Sequence, residues 1–239
     1  MTESNDKRGP MEDLKTIGRV TGVCFLALAV LGMFGVLVIS PVLVDDVGLF
    51  RRPTDLTDRA ALARVVILLL GIVAAQALTA VWFYRLLHGA GAPWAGFVVA
   101  VFGVMTAAAV MTSATFMGVA AETLVHAPGE AAGTVGLLYL LGANSWSLGG
   151  LFFGLQLIPM GWAALATRRF PPALGWVVVV GGACHVASGV LAVGLADPPA
   201  RVVDGLTVPG IVGAFWMIAY LLVRGVRSEL LSRTPDGRN

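Results

Sequence analysis

Charged and apolar residues are segregated along this chain. No acidic or basic side chain occurs from Val20 to Val44, from Val65 to Tyr84, or from Leu86 to Ala121. The same holds from Ala131 to Thr167, Phe170 to Ala196 and Gly205 to Val223. A helix needs roughly 20 apolar residues to cross about 30 Å of hydrocarbon, and each stretch reaches or nearly reaches that length. The runs are continuous, without the apolar–polar alternation over about ten residues that marks a barrel strand. The pattern therefore predicts an all-α polytopic membrane bundle of six transmembrane helices. They fall at about residues 20–44, 65–84, 94–121, 145–167, 173–195 and 206–224. Together they form one transmembrane domain, 17–226, between a disordered N-terminal tail (1–16) and a C-terminal tail (227–239). The first apolar run exceeds the roughly 7–15 residues of a secretory signal, which makes it an uncleaved span.

Within these runs the exceptions to leucine carry the information. The stretch "NSWSLGGLFFGLQLIPMGWAALATRRFPPALGW", from Asn144 to Trp176, contains Asn, Ser, Gln, Pro and five glycines. Lipid tails are as apolar as leucine, so membrane helices associate through close packing and hydrogen bonds, and small residues mark the contact. Ser147, Gly150, Gly154 and Gly161 recur on one face of the fourth span, and Gly175, Gly182 and Gly189 on one face of the fifth. The short turn "RRFPP" makes these two spans antiparallel neighbours. The two smooth faces form a packing seam, with Val178 off it, and Pro159 should bend the fourth helix.

Packing explains the polar residues less well. Gln76, Gln156 and His185 lie near mid-span, where polar groups are costly and usually face the bundle interior. They are the candidate intramembrane site; the alternative is plain interhelical hydrogen bonding, worth about 0.6 kcal/mol each. Gln156 is two residues from Gly154, about 200° around the helix, so it leaves the seam and Gln76 is the expected meeting point. His185 stays on the seam, with a backbone carbonyl, such as one freed by Pro159, or a seam hydroxyl as its expected partner.

Two segments are alike. "PWAGFVVAVFG" from Pro93 and "PALGWVVVVGG" from Pro172 share Pro-x-x-Gly-aromatic-Val-Val, with a further glycine at Gly103 and Gly182. Either a helical hairpin is duplicated, or both turns independently use proline in the first helical turn and an interfacial ring.

Composition sharpens the class. The chain is 57% hydrophobic and 13% charged, with mean hydropathy +0.85, against about 25% charged in soluble domains. A net charge of +2 without a basic aromatic stripe gives no argument for a nucleic-acid partner. Cys24 and Cys184 lie inside spans without metal or disulfide spacing. With the N-terminus inside, the inner segments hold eleven Lys and Arg and the outer segments five. That excess places both termini in the cytoplasm and the chain in a cytoplasmic membrane. Arg51, Arg52, Arg59 and Arg64, in the first outer loop, run against the trend. Trp82, Trp94, Trp146, Trp162 and Trp176 are expected near helix ends, and Trp216 inside the bundle.

Catalytic chemistry is thin. Glu122 and His126, spaced i, i+4, would supply two ligands at one helix end, whereas a catalytic zinc needs three. His88 belongs to the opposite side. No nucleophile elbow, zinc-protease motif, phosphate-binding loop or dinucleotide fingerprint occurs, and no cofactor is expected.

The run "SLGGLFFGLQLIPMGWAALATRRFPPALGWVVVVGG", with "GRVTGVCFLALAVLGMFG" before it and "YLLVRGV" after it, resembles a bacterial membrane family, domain of unknown function 4386. The resemblance spans about Ile17 to Val226 and implies a six-helix integral membrane protein with no activity attached. The family pattern often has histidine after FFGL and an acidic residue beginning the last helix, and at those places this chain has Gln156 and Ala214. A mechanism resting on those ionisable groups would not extend to this member.

Three classes remain. The first is a non-enzymatic protein of the lipid bilayer that binds a lipid, a small hydrophobic molecule or a membrane partner. The second is a small transporter with a midplane polar site, and the third is a membrane enzyme.

Overall fold

The structure, a computed structural model, describes residues 10–43, 59–126, 131–195 and 199–226. It contains α1 (Pro10–Leu43), α2 (Arg59–Gly89), α3 (Pro93–His126), α4 (Ala131–Thr167), α5 (Pro172–Gly194) and α6 (Ala200–Val223). All six are long and apolar enough to cross a membrane, and no strand occurs among the described residues. Each packs against its neighbours in sequence, and α1 also packs against α6, which closes the order into a ring. The core runs along its interior through Leu69, Phe83, Leu157, Leu174 and Leu221. Phe25 and Phe83 meet edge to face at 5.3 Å to join α1 to α2. Large apolar side chains also cover the outside, with Ile67 70% and Val223 76% exposed. An apolar exterior on this scale suits lipid, since soluble domains rarely expose broad apolar patches.

Several helices outrun the spans expected from sequence. α1 starts at Pro10, so residues 10–16 are helical rather than part of the tail; residues 1–9 and 227–239 lie outside the described residues. Arg51 and Arg52, between the first two spans, do so as well, while Arg59 and Arg64 belong to α2. The largest difference is α4, whose 37 residues begin at Ala131 rather than near 145. Asn144 and Ser145 do not break it, because each bonds the carbonyl one turn back, Leu140 at 2.9 Å and Leu141 at 2.8 Å. Satisfied in this way, a polar side chain is tolerated in mid-helix. Trp146 consequently sits far from either end of α4. Trp216 is 38% exposed on the outer surface, not packed within the bundle.

The short turns explain the antiparallel pairing. Gly91, at φ +91°, reverses the chain between α2 and α3 in a conformation that favours glycine. Arg168 (φ +52°) takes the left-handed position after α4, and Pro172 opens α5.

Candidate functional site

Gln76 of α2 and Gln156 of α4 meet in the centre of the bundle, 1% and 0% exposed. Gln76 Nε2 donates to Gln156 Oε1 at 2.7 Å and, more weakly, to the Gly103 carbonyl of α3 at 3.4 Å. Gly103 lets α3 close over the pair: a Cβ there would lie 2.6 Å from that of Ala80 and 3.4 Å from both amides. One acceptor, Gln76 Oε1, and one donor, Gln156 Nε2, are buried without a hydrogen-bond partner. Buried polar groups normally find partners, and these two atoms are exceptions among the described residues.

The pair also extends the likeness between the two hairpins. Gln76 lies six residues before Trp82, and Gln156 six before Trp162. Each tryptophan is followed by the proline and two glycines already noted. In both hairpins these glycines face the preceding helix. A Cβ on Gly96 would lie 3.1 Å from the Tyr84 carbonyl oxygen and one on Gly103 would meet Ala80, while a Cβ on Gly175 would lie 2.6 Å from the Leu165 side chain and one on Gly182 2.8 Å from the Gly154 carbonyl oxygen. The Gln-to-Trp spacing is the sequence signal that would have linked the two amides.

Along α4 and α5 the glycines bring backbone against backbone. A Cβ on Gly154 would lie 2.8 Å from the Val186 nitrogen, and one on Gly161 2.7 Å from the Gly175 carbonyl oxygen. A Cβ on Gly189 would lie 2.8 Å from Leu151, and Gly150 is looser, since a Cβ there would lie 4.0 Å from His185 Nε2. Ser147 bonds its own helix at the Ala143 carbonyl (3.1 Å). Val178, off this seam, is fully buried, because α6 presents Gly213 to it at 3.3 Å.

His185 stands where α4, α5 and α6 converge. Its Cβ faces Gly154, its Nδ1 lies 3.0 Å from where a Gly210 Cβ would sit, and Phe153 meets the ring edge-on at 5.5 Å. The Thr207 backbone lies towards the ring, but Nδ1 is buried without a hydrogen-bond partner. The structure thus joins Gln76 to Gln156 and keeps His185 in a separate niche. The backbone group nearest the His185 ring is that of Thr207 in α6, rather than a carbonyl freed by Pro159 or a seam hydroxyl.

At one end of the bundle the start of α1 meets the ends of α2 and α6: Leu14 touches Gly89, and Lys15 touches Gly225. The Tyr220 hydroxyl donates to the Arg169 carbonyl (3.3 Å), which ties α6 to the α4–α5 turn. Lys15, Arg19, Arg85, Arg168, Arg169 and Arg224 gather at this basic end. Here Tyr84, His88, Pro93, Trp94 and Phe97 line an open cleft of about 320 Å³. Tyr84 and His88 come together one turn apart on α2 (5.9 Å), and Trp94 and Phe97 form an edge-to-face pair on α3 (6.0 Å). Arg85 is exposed and lies over the Trp82 ring at 4.8 Å. Sequence reasoning named Trp94 as an interfacial ring but missed the cleft, whose signal was the aromatic spacing on both sides of Gly91.

Metal chemistry gains little. His126 Nδ1 lies 3.0 Å from the Glu122 backbone carbonyl rather than its carboxylate, and no group of three potential metal ligands occurs among the described residues. Cys24 and Cys184 are free thiols on different helices.

A family described as "Domain of unknown function (DUF4386)" matches residues 20–225. No match was found among curated proteins or among solved structures.

Proposed function

From the premise that this chain belongs to the DUF4386 family, a membrane family defined without an activity, we propose that it is a non-enzymatic lipid-binding protein. Its ligand is an anionic phospholipid of the cytoplasmic leaflet, and its binding site is the cleft at the basic end. The observation that carries this reading is the cleft's position. Aromatic rings line it, Arg85 stands beside Tyr84, and Lys15, Arg19, Arg168, Arg169 and Arg224 lie at the same end. Aromatic rings and arginine are the side chains suited to the headgroup level. Basic residues near an anionic leaflet each contribute about 1 kcal/mol of attraction. The uneven Lys and Arg distribution supports placing this end on the cytoplasmic side of a cytoplasmic membrane.

Native mass spectrometry of the delipidated protein tests this. Phosphatidylglycerol should be retained over phosphatidylcholine, and Trp94→Ala with His88→Ala should reduce that retention several-fold. Equal retention of both lipids, unchanged in the double variant, would contradict it.

A second reading, a small transporter, draws on the unpartnered Gln76 Oε1 and Gln156 Nε2. Substrate-dependent protection of Gln156→Cys from a thiol reagent would favour it over lipid binding.

A further inference from the structure

The groove between α5 and α6 is polar on one side of His185 and sealed on the other. Towards the α5–α6 connection, Ser188 (4% exposed) donates to the Val203 carbonyl at 2.8 Å. Thr207 is level with His185, and its hydroxyl donates to the Asp204 carbonyl at 2.7 Å. Asp204 is exposed, three residues before Thr207 and one turn nearer the start of α6. From α4, the half-buried Ser147 lies one turn beyond Gly150, which faces His185 Nε2. Three hydroxyls and a carboxylate therefore occur level with the His185 ring or between it and the end of α5, which is nine residues, about 14 Å, away.

Beyond His185 the groove ends. A Cβ on Gly181 would lie 2.7 Å from the Gly210 backbone, and the buried Val178 fills the next turn against Gly213. The Nδ1 of His185 makes no hydrogen bond.

We propose that His185 is a proton-binding site at the blind end of a half-channel, reached through Ser188, Thr207 and Ser147 from a mouth at Asp204. Water carried along the hydroxyls delivers the proton. One neutral ring nitrogen accepts it, giving an imidazolium with two N–H donors, and the proton leaves by the same route because the Gly181–Gly210 contact blocks passage. The charged groups facing the niche are few. α4 has no charged side chain, and its phenol, Tyr139, is about three turns from Gly150. α5 has no charged side chain besides the histidine, and α6 offers Asp204 with Arg201 a turn further out. Asp204 is thus the carboxylate placed to draw cations to the mouth. A histidine that gains and loses a proton near neutral pH is suited to sensing or coupling to a proton gradient.

Cysteine accessibility tests the path in the full chain, with Cys24→Ser and Cys184→Ala as background. Ser188→Cys, Thr207→Cys and His185→Cys should react with a small, water-soluble cationic thiol reagent, and Val178→Cys should not. Asp204→Asn should slow labelling at position 185 several-fold for the cationic reagent but not for a neutral one. A folded His185→Cys protein as unreactive as Val178→Cys would overturn the proposal. The unsubstituted chain gives a second measurement, because it has only three histidines, His88, His126 and His185. The ¹⁵N signals of His185 should change with pH and move in Asp204→Asn. A ring that stays neutral down to the acid limit of the folded protein would also overturn it.

Discussion

Removing one amide from the Gln76–Gln156 pair leaves the other buried with still fewer partners. A single Gln76→Leu or Gln156→Leu replacement should therefore cost about 1–3 kcal/mol, the penalty for a stranded buried polar group. The double replacement removes both polar groups and should cost less than the sum of the two. The coupling should be on the order of 1 kcal/mol, within the range measured for hydrogen bonds between membrane helices. Thermal unfolding of the four proteins in one detergent measures it, and strict additivity would show that the two amides do not depend on each other. The residues of this site were legible one at a time, because a polar side chain in mid-span is conspicuous in any membrane sequence. Their pairing followed from angle, since Gln156 points away from the Gly154 face. The niche of His185 did not, because it depends on α6, where Gly210 and Thr207 carry no signal until the register of α5 against α6 is known.

Among the elements, α5 is the most constrained. One face, through Gly175, Gly182 and Gly189, lies on α4, and another, through Gly181, lies on α6. Gly154→Leu or Gly182→Leu drives an isobutyl group into backbone less than 3 Å away. Overpacking typically costs about 1–3 kcal/mol or more, so the melting temperature in detergent should fall clearly. Val178 is unsuitable as a comparison because it is buried under α6; Val180, 51% exposed, is the proper one, and Val180→Leu should be nearly silent. If Gly182→Leu and Val180→Leu melt alike, the close contact of α4 with α5 is not what holds them together. The α4 glycines were readable from period alone, but the start of α4 was not. Polar Asn144 and Ser145 looked like a boundary, and their bonds to carbonyls one turn back are local geometry that residue type does not disclose.

For the whole molecule, six apolar helices were legible because a bilayer imposes length and excludes charge. The ring order was not, since it needs the contact of α1 with α6. An even number of crossings places the ends of α1 and α6 on one side, together with the basic end and its cleft. The uneven distribution of Lys and Arg predicts that this side is cytoplasmic. Fusion of a reporter active only in the cytoplasm tests the arrangement directly, once at Asn239 and once after Pro199 in the α5–α6 connection. The account predicts signal from the first fusion and none from the second, and equal signals from both would contradict a six-crossing chain with its basic end inside.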